Sequence, residues 1–487
     1  MEEKTLNILE EFKIREELYT NNTAVGILNQ YTRYGKITER QQKFLNSLIF
    51  KKKLYPFQEE GVAFIERNNG NALVADDPGC GKTLIFLNYI HKHPELRPIL
   101  IICPGSLKYN WLNEWNACLN YGTPQVLEGE KPYEIKSDVV IINFDIVLYW
   151  AVELIMYNFK CVAIDEIHQI MNLTAKKTQA THNVCKNIPS KVGMSATPIL
   201  NRPKELYSVV SLICPGLFPN FMDFQLRYCN LKMDRWGRWN DNGASNIDEL
   251  NKLLTTTVMI RRKKVDVLKD LPKKTRSVIP VEITNRREYA EKEIEFIKWG
   301  KSAGNLSNGV VKTEALKQIV FRGKFKYITE FIGGFYQAGE KLVVGCTNNI
   351  AIQMFKKEYG KNSVFCTKEM SAEERQGVVD KFQSDSNIFA FFSTYKVGGV
   401  GYTLTKACNI ILTQIGWTPT IHEQFEDRVC RITQTRPVNV YYLVGKDTVE
   451  EKLLPLIDNK KTLFNQLVDG EDVCEQDILQ ELFNKYK

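Results

Sequence analysis

The chain has 487 residues, of which 44% are apolar and 25% charged, and it carries a formal net charge of +8. That length predicts two or three domains, each able to bury its own core. No stretch approaches the roughly 18 unbroken apolar residues of a membrane span. The opening "MEEKTLNILEEFK" is acidic and charged throughout, which excludes a signal peptide. A protein that stays soluble inside a cell is expected. The 12 cysteines form no CxxC pair, and the 5 histidines lie at no metal-ligand spacing to them, so reduced, buried thiols are expected rather than zinc or disulfides. The basic excess suits a polyanionic partner without establishing one.

Residues 1–50 read as a small helical appendage: Thr38 with Gln41 three residues on is a capping-box pattern ahead of an apolar-periodic run. From Leu54 onward, short apolar runs alternate with helical stretches: "ALVA", "ILIIC", "DVVIINF", "CVAID", "KVGMSA". This alternation predicts an α/β lobe with a parallel sheet between two helical layers, over residues 51–217. A polar, aromatic stretch interrupts it at 218–275 and is expected to form a helical protrusion. A second alternating set, "KLVVGC", "SVFC", "NIFAFFS", "CNIILT", "VNVYYLV", predicts a second lobe over 276–450, and a helical tail at 451–487 closes the chain. Residues 284–309, charged and then rich in Gly, Ser and Asn, read as a solvated helix running into a flexible loop.

The chemistry begins at "ALVADDPGCGKTLIF". Gly79 and Gly81 permit the tight turn that aims backbone N–H groups at phosphate oxygens. The helix starting near Lys82 adds its positive N-terminal end. Lys82 would reach the β- and γ-phosphates, and the Thr83 hydroxyl would bind Mg²⁺. Asp77, Pro78 and Cys80 complete the expected ATP-binding loop; Asp76 stands where the strict pattern has glycine. In "CVAIDEIHQI", Asp165 and Glu166 end an apolar strand, where Asp165 can hold Mg²⁺ and Glu166 can orient or deprotonate the attacking water. In "EQFEDRVCRITQ", Arg428 and Arg431 lie three apart, on one face of a helix, placed to reach a γ-phosphate across a cleft. Read in isolation, they would be a surface salt-bridge pair.

The order of these motifs resembles that of the Swi/Snf-related ATPases of helicase superfamily 2, from about Leu54 to Leu467. "LYPFQEEGVAFI" resembles the adenine-reading segment, with Gln58 as its glutamine. "ADDPGCGKT" is similar to "ADxMGLGKT". "ICPGSLKYNWLNEW" resembles the first DNA-contacting motif, and "MSATPILNRPKELYSVVSLI" the coupling motif. "FFSTYKVGGVGYTLTKAC" and "EQFEDRVCRITQTRPVNVY" resemble the linking and arginine motifs of the second lobe. Residues 235–276, the Asp76–Asp77 pair and Thr403 further resemble the subfamily of annealing, fork-remodelling members. The departures are Pro78 for Met, Cys80 for Leu, Ala196 for Gly, Cys430 for His and Thr433 for Gly.

The resemblance implies two tandem RecA-like parallel-sheet lobes, with a helical protrusion between them and a small helical N-terminal appendage. It implies an ATP- and Mg²⁺-dependent motor moving on double-stranded or forked DNA, annealing strands or remodelling branches. Ser195, Thr197, Gly399, Gly401 and Gln424 would couple the lobes; Ser106, Lys108, Thr197 and Thr394 would contact DNA phosphates. The basic runs Lys51-Lys52-Lys53 and Arg261-Arg262-Lys263-Lys264 are candidates for further duplex contact, and Trp236 and Trp239 for base stacking. Two other readings stand beside the motor: a strand-separating DNA or RNA helicase, and an ATP-gated DNA clamp with little turnover.

Overall fold

The computed structural model describes residues 38, 41, 50–119, 121–196, 203–233, 239–241, 243–268, 271–301, 306–399, 401–417, 419–456 and 482. Most of the expected appendage, most of the C-terminal tail, Thr197 and Trp236 lie outside them.

Each apolar run of the first half becomes a strand: β1 (Asn71–Val74), β2 (Ile99–Cys103), β4 (Val139–Asn143), β5 (Cys161–Asp165) and β6 (Ser190–Met194), joined by the short β3 (Gln125–Val126). β2, β4 and β6 are buried along their whole length. A strand covered by helices on both faces must be apolar on both, hence the unbroken runs. Further on, β7 (Lys232–Met233) and β8 (Trp239–Asn240) form a separate antiparallel pair, and β9 (Met259–Ile260) returns to the first sheet. The order is β3-β4-β2-β5-β6-β1-β9, and all pairs are parallel. On one face pack Phe50 and the helices Pro56–Arg67, Lys82–Lys92 and Lys108–Cys118; on the other pack the helices Lys176–Cys185 and Pro203–Ile213.

Within 218–275, the helices Phe221–Tyr228 and Ile247–Thr257 bury Phe224, Tyr228, Leu250 and Leu254 in that same core. The hairpin β7–β8 stands out from it, with Trp239 60% exposed.

The second sheet contains β10 (Lys274–Val281), β11 (Leu342–Cys346), β12 (Ser363–Cys366), β13 (Ala390–Thr394), β14 (Asn409–Leu412) and β15 (Val438–Gly445), again all parallel. Its order is β10-β15-β14-β11-β13-β12. The expected flexible loop before it is corrected in part: Leu306–Gly309 open a helix that runs to Gln337. Val320 and Leu316 of that helix are buried in the lobe's core, and this tertiary burial outweighs the poor local helix propensity of "LSNG".

β1, β5 and β6 lie side by side with their carboxyl ends together. The loops leaving those ends therefore converge, which is where open α/β sheets place their ligands. The lobes touch beside this edge. Gly401 of the second lobe has φ +54°, and a Cβ there would lie 1.8 Å from Leu107 Cδ2 of the first.

Candidate nucleotide site between the lobes

The turn after β1 adopts the geometry that its glycines permit. Gly79 has φ +84° and Gly81 φ +81°, the left-handed region that side chains disfavour. Gly81 also has no room for a side chain, since a Cβ would meet Gln58 Nε2 at 2.4 Å. Lys82 opens the helix Lys82–Lys92, and its Nζ donates back to the carbonyls of Asp76 (2.7 Å) and Asp77 (3.3 Å). The ammonium thus spans the mouth of the loop it is expected to serve. Thr83, the next residue, is half-buried. Burial, then the Asp76 charge, pushes the Cys80 thiol up to about 12, so it is neutral and acts as an apolar filler. Gln58 is fully buried: its Oε1 accepts from the Tyr55 N–H (3.0 Å) and its Nε2 donates to the Cys80 carbonyl (2.9 Å). Each end of a carboxamide has one further hydrogen-bonding position, so this anchoring leaves Gln58 able to read a base edge.

Asp165 ends β5, and Glu166 follows it at φ +51°. Asp165 Oδ2 accepts the Trp111 indole N–H (2.9 Å) and Oδ1 accepts the Glu166 N–H (3.0 Å). Burial, then the neighbouring Glu166 charge, raises the Asp165 pKa. Burial also opposes ionisation of Glu166, but the hydrogen bond with His168 and the charges of His168, Lys82 and Arg428 outweigh it, and its pKa is lowered. The two acids are thereby pushed apart, with Glu166 the more readily ionised. His168 Nδ1 lies 3.3 Å from Glu166 Oε2 and 3.0 Å from Ser195 Oγ, so it joins the strand-end acids to the expected coupling motif.

The second lobe supplies the opposite wall, and the expected helix is corrected: it ends at Glu426, so Arg428 and Arg431 lie in the turns that follow it. Arg428 donates its Nε–H to the Gln424 carbonyl (2.8 Å), and Gly399 packs against Gln424. Arg431 donates to Thr403 Oγ1 (2.8 Å) and to the carbonyl of Gly401 (3.1 Å). Arg431 Cγ lies 3.5 Å from where a Gly79 Cβ would be, directly over the glycine turn. Among the described residues neither arginine forms an ion pair. Burial lowers both; Arg431, further depressed by the Arg428 charge, falls to about 9. A buried and a half-buried guanidinium that repel each other beside the glycine turn make a site suited to an anion. The donors present match a triphosphate, and the Thr83 hydroxyl with the Asp165 carboxylate matches the oxygen ligands Mg²⁺ takes.

Other expectations meet a different structure. Lys108 is 6% exposed and its Nζ donates to the Leu127 carbonyl (2.9 Å) and to Glu128 (3.3 Å), so its ammonium does not face a duplex. Thr394 is likewise buried, at the start of a short helix. Ser106 is half-buried. Within the run 261–264, Arg261, Arg262 and Lys264 are corrected from surface patch to half-buried brace, while Lys263 stays exposed. Arg261 donates to the carbonyls of Ala75 and Ala196. Arg262 makes a bidentate pair with the fully buried Asp76 and donates to the Phe57 carbonyl. Lys264 reaches Asp427 and the Cys430 carbonyl in the second lobe. The physical reason is Asp76 itself: a carboxylate taken out of water requires a paired cation with hydrogen bonds, and Arg262 provides both. The paired acids of "ADDPGCGKT" were the available signal. Nothing in the sequence marked Trp111 as a partner of Asp165.

Two parallel-sheet lobes, with a glycine-turn loop on one facing arginines on the other, define the two-lobed helicase-like class. The chain belongs to the SNF2-related family: the SNF2-related domain model matches residues 57–322, and the helicase conserved C-terminal domain model matches 323–433. It is 32% identical over 428 residues to the SWI/SNF-related matrix-associated actin-dependent regulator of chromatin subfamily A-like protein 1 of Xenopus laevis, covering 85% of this chain and 44% of that protein. It is 28% identical over 442 residues to the human DNA annealing helicase and endonuclease ZRANB3, covering 86% of this chain and 40% of that one. The chain thus spans less than half the length of these relatives. A SWI2/SNF2 ATPase core from Sulfolobus solfataricus, solved in complex with double-stranded DNA, aligns over 88% of this chain and 95% of that one, at 25% identity and a TM-score of 0.43. No helix among the described residues is long and apolar enough to cross a membrane.

Proposed function

We propose that the chain is an ATP-driven motor that moves on double-stranded or forked DNA and remodels branched or protein-bound DNA, by annealing strands or moving a branch. The observation that carries this reading is Arg431 lying over Gly79, with Arg428 close enough to feel the charges of Asp427, Glu166 and Asp165. Neither arginine forms an ion pair among the described residues, and a polyphosphate held between the lobes would give both a direct anionic partner.

In this reading the loop Asp77–Gly81 wraps the phosphates of ATP, and Lys82 leaves the two loop carbonyls to bind the β- and γ-phosphates. Glu166, the more readily ionised of the two acids, orients the attacking water and accepts its proton. Arg428 and Arg431 stabilise charge developing on the transferred phosphoryl group. Mg²⁺, held by Thr83 and Asp165, neutralises phosphate charge when bound. ATP binds the closed cleft better than the open one, so binding and hydrolysis drive the lobes together and apart. DNA gripped alternately by both lobes through its phosphates would be moved without regard to sequence, and its affinity should fall steeply with salt. With Lys108 buried, Ser106 and the backbone N–H groups around it are the first-lobe contacts we assign.

Steady-state ATP hydrolysis at low salt, with duplex DNA, forked DNA, single-stranded DNA or RNA, tests the reading. Stimulation by duplex or fork is expected, with Lys82→Ala and Glu166→Gln each lowering turnover at least about 100-fold. Stimulation by RNA alone would sink the DNA assignment. The strand-separating alternative draws support from the exposed Met233–Trp239 pair on β7–β8, which could enter between bases at a junction. A strand-displacement assay on blunt and tailed substrates separates the two.

A further inference from the structure

We propose that Lys264 is a positioning residue for ATP hydrolysis: it ties the phosphate loop of the first lobe to the arginine-bearing segment of the second and sets the register in which Arg428 and Arg431 meet the loop. This rests on the nucleotide-hydrolysis reading above.

The argument begins with what holds residues 261–264 still. Arg261 is bonded to the carbonyls of Ala75, just after β1, and Ala196, just after β6. Arg262 is bonded to Asp76 through its backbone N–H (3.0 Å) as well as its guanidinium. The Lys264 N–H donates to Asp77 Oδ2 (2.9 Å). The main chain of this segment is therefore stitched, almost residue by residue, to the loop that would hold ATP. The Lys264 side chain leaves that platform and crosses to the other lobe, where Nζ donates to Asp427 Oδ1 (3.2 Å) and to the Cys430 carbonyl. Asp427 immediately precedes Arg428, and Cys430 immediately precedes Arg431. One side chain thus grips both residues that lead into the arginines.

Its location is as specific as its bonding. Lys264 Nζ and Arg431 Cγ each lie 3.5 Å from where a Gly79 Cβ would be, so lysine and arginine flank the same glycine of the loop. Charge neutralisation alone does not require Lys264. Asp427 also lies 3.6 Å from Lys274 Nζ, and Lys274 and Arg276 saturate the adjacent Glu426. The second lobe has its own cations for its own acids. What Lys264 adds is the connection between lobes. Misplacing a charge-stabilising group by about 1 Å can lower a rate about 100-fold, so a tie that fixes the arginine segment acts on turnover more than on binding.

The test compares Lys264→Met and Lys264→Arg with the unmodified chain in three measurements. In steady-state ATP hydrolysis with duplex DNA, Lys264→Met is expected to lower kcat at least about tenfold while KM for ATP stays within about twofold, and Lys264→Arg to recover most of the loss. The melting temperature of Lys264→Met should remain within about 2 °C. In amide hydrogen exchange without nucleotide, residues 427–431 should exchange faster in Lys264→Met, while 76–83 stay unchanged. An unchanged kcat overturns the proposal. So does a loss that tracks melting temperature and is not recovered by arginine. Should the unmodified chain hydrolyse no ATP, the functional reading fails, and exchange alone judges the tie: unchanged exchange at 427–431 overturns it.

Discussion

Two basic clusters in this molecule, one wholly buried and one half-buried at the cleft, are bonded differently. Inside the second lobe, Lys324 is wholly buried and its Nζ donates to the carbonyls of Thr413 (2.9 Å) and Leu443 (2.5 Å) and to the buried Glu450 (2.6 Å). Every partner belongs to the same lobe. At the cleft, Arg262 and Lys264 are nearly as well bonded, but Lys264 has its partners on two lobes. The same chemistry gives rigidity where the partners move together and coupling where they can move apart. A cation's burial therefore says little about its role until the bodies that its partners ride on are known.

The comparison can be broken most sharply at Lys324. Removing its charge in Lys324→Met leaves Glu450 buried without its cation, which should cost about 3–5 kcal/mol of second-lobe stability in urea unfolding. ATPase activity per folded molecule should not change. The double variant Lys324→Met/Glu450→Leu should regain most of the loss, because an apolar pair of similar volume carries no uncompensated charge. Activity falling further than the folded fraction would mean that this cluster, too, reports to the cleft.

Glu426 offers a smaller, pH-dependent effect. Burial opposes its ionisation, but the Lys274 charge and the Arg276 hydrogen bonds win, and they hold its pKa at about 2 against an ordinary 4.5. A depressed folded value means that the unfolded chain takes up the proton first. The stabilisation is complete above about pH 4.5 and is lost as pH falls toward about 2, amounting to about 3 kcal/mol. Acid unfolding of the unmodified chain and of Glu426→Gln should therefore converge across that window. A constant gap between them would place the acid lability elsewhere.

The sequence disclosed the central strands because two-sided burial forces unbroken apolar runs, and "ILIIC", "VVIIN" and "LVVGC" all became strands. β10 was not legible. It is an edge strand whose residues are half-buried or exposed up to the buried Val281, and its edge position also tolerates Pro280. The glycine turn after β1 and the strand-end acids were legible because their spacing is local. The brace was not, because Asp76 and Arg262 are separated by 186 residues and only the fold brings them together. Read locally, four consecutive cations look like a solvated face; three of them turn out to serve the cleft. Lys108 misled in the opposite direction, since a motif position implied exposure while its stem runs inward to Leu127.

The smallest effect, and the finest test of the contrast, lies at Thr403. Its hydroxyl accepts one N–H of Arg431 and the Gly401 carbonyl accepts another. The resemblance places asparagine at this position in most relatives, and an asparagine side chain also presents an oxygen to a guanidinium. Thr403→Ala removes one neutral acceptor from a cation that keeps the Gly401 carbonyl, a loss of about 1 kcal/mol, or roughly fivefold in kcat. Thr403→Asn should fall between the two. Because Thr403 and Arg431 ride on the same lobe, the loss should be independent of what happens at Lys264, which holds the same segment from across the cleft. Effects that multiply in Thr403→Ala/Lys264→Met would support separate control of aim and of register. A double variant no worse than Lys264→Met alone would mean that one constraint already contains the other.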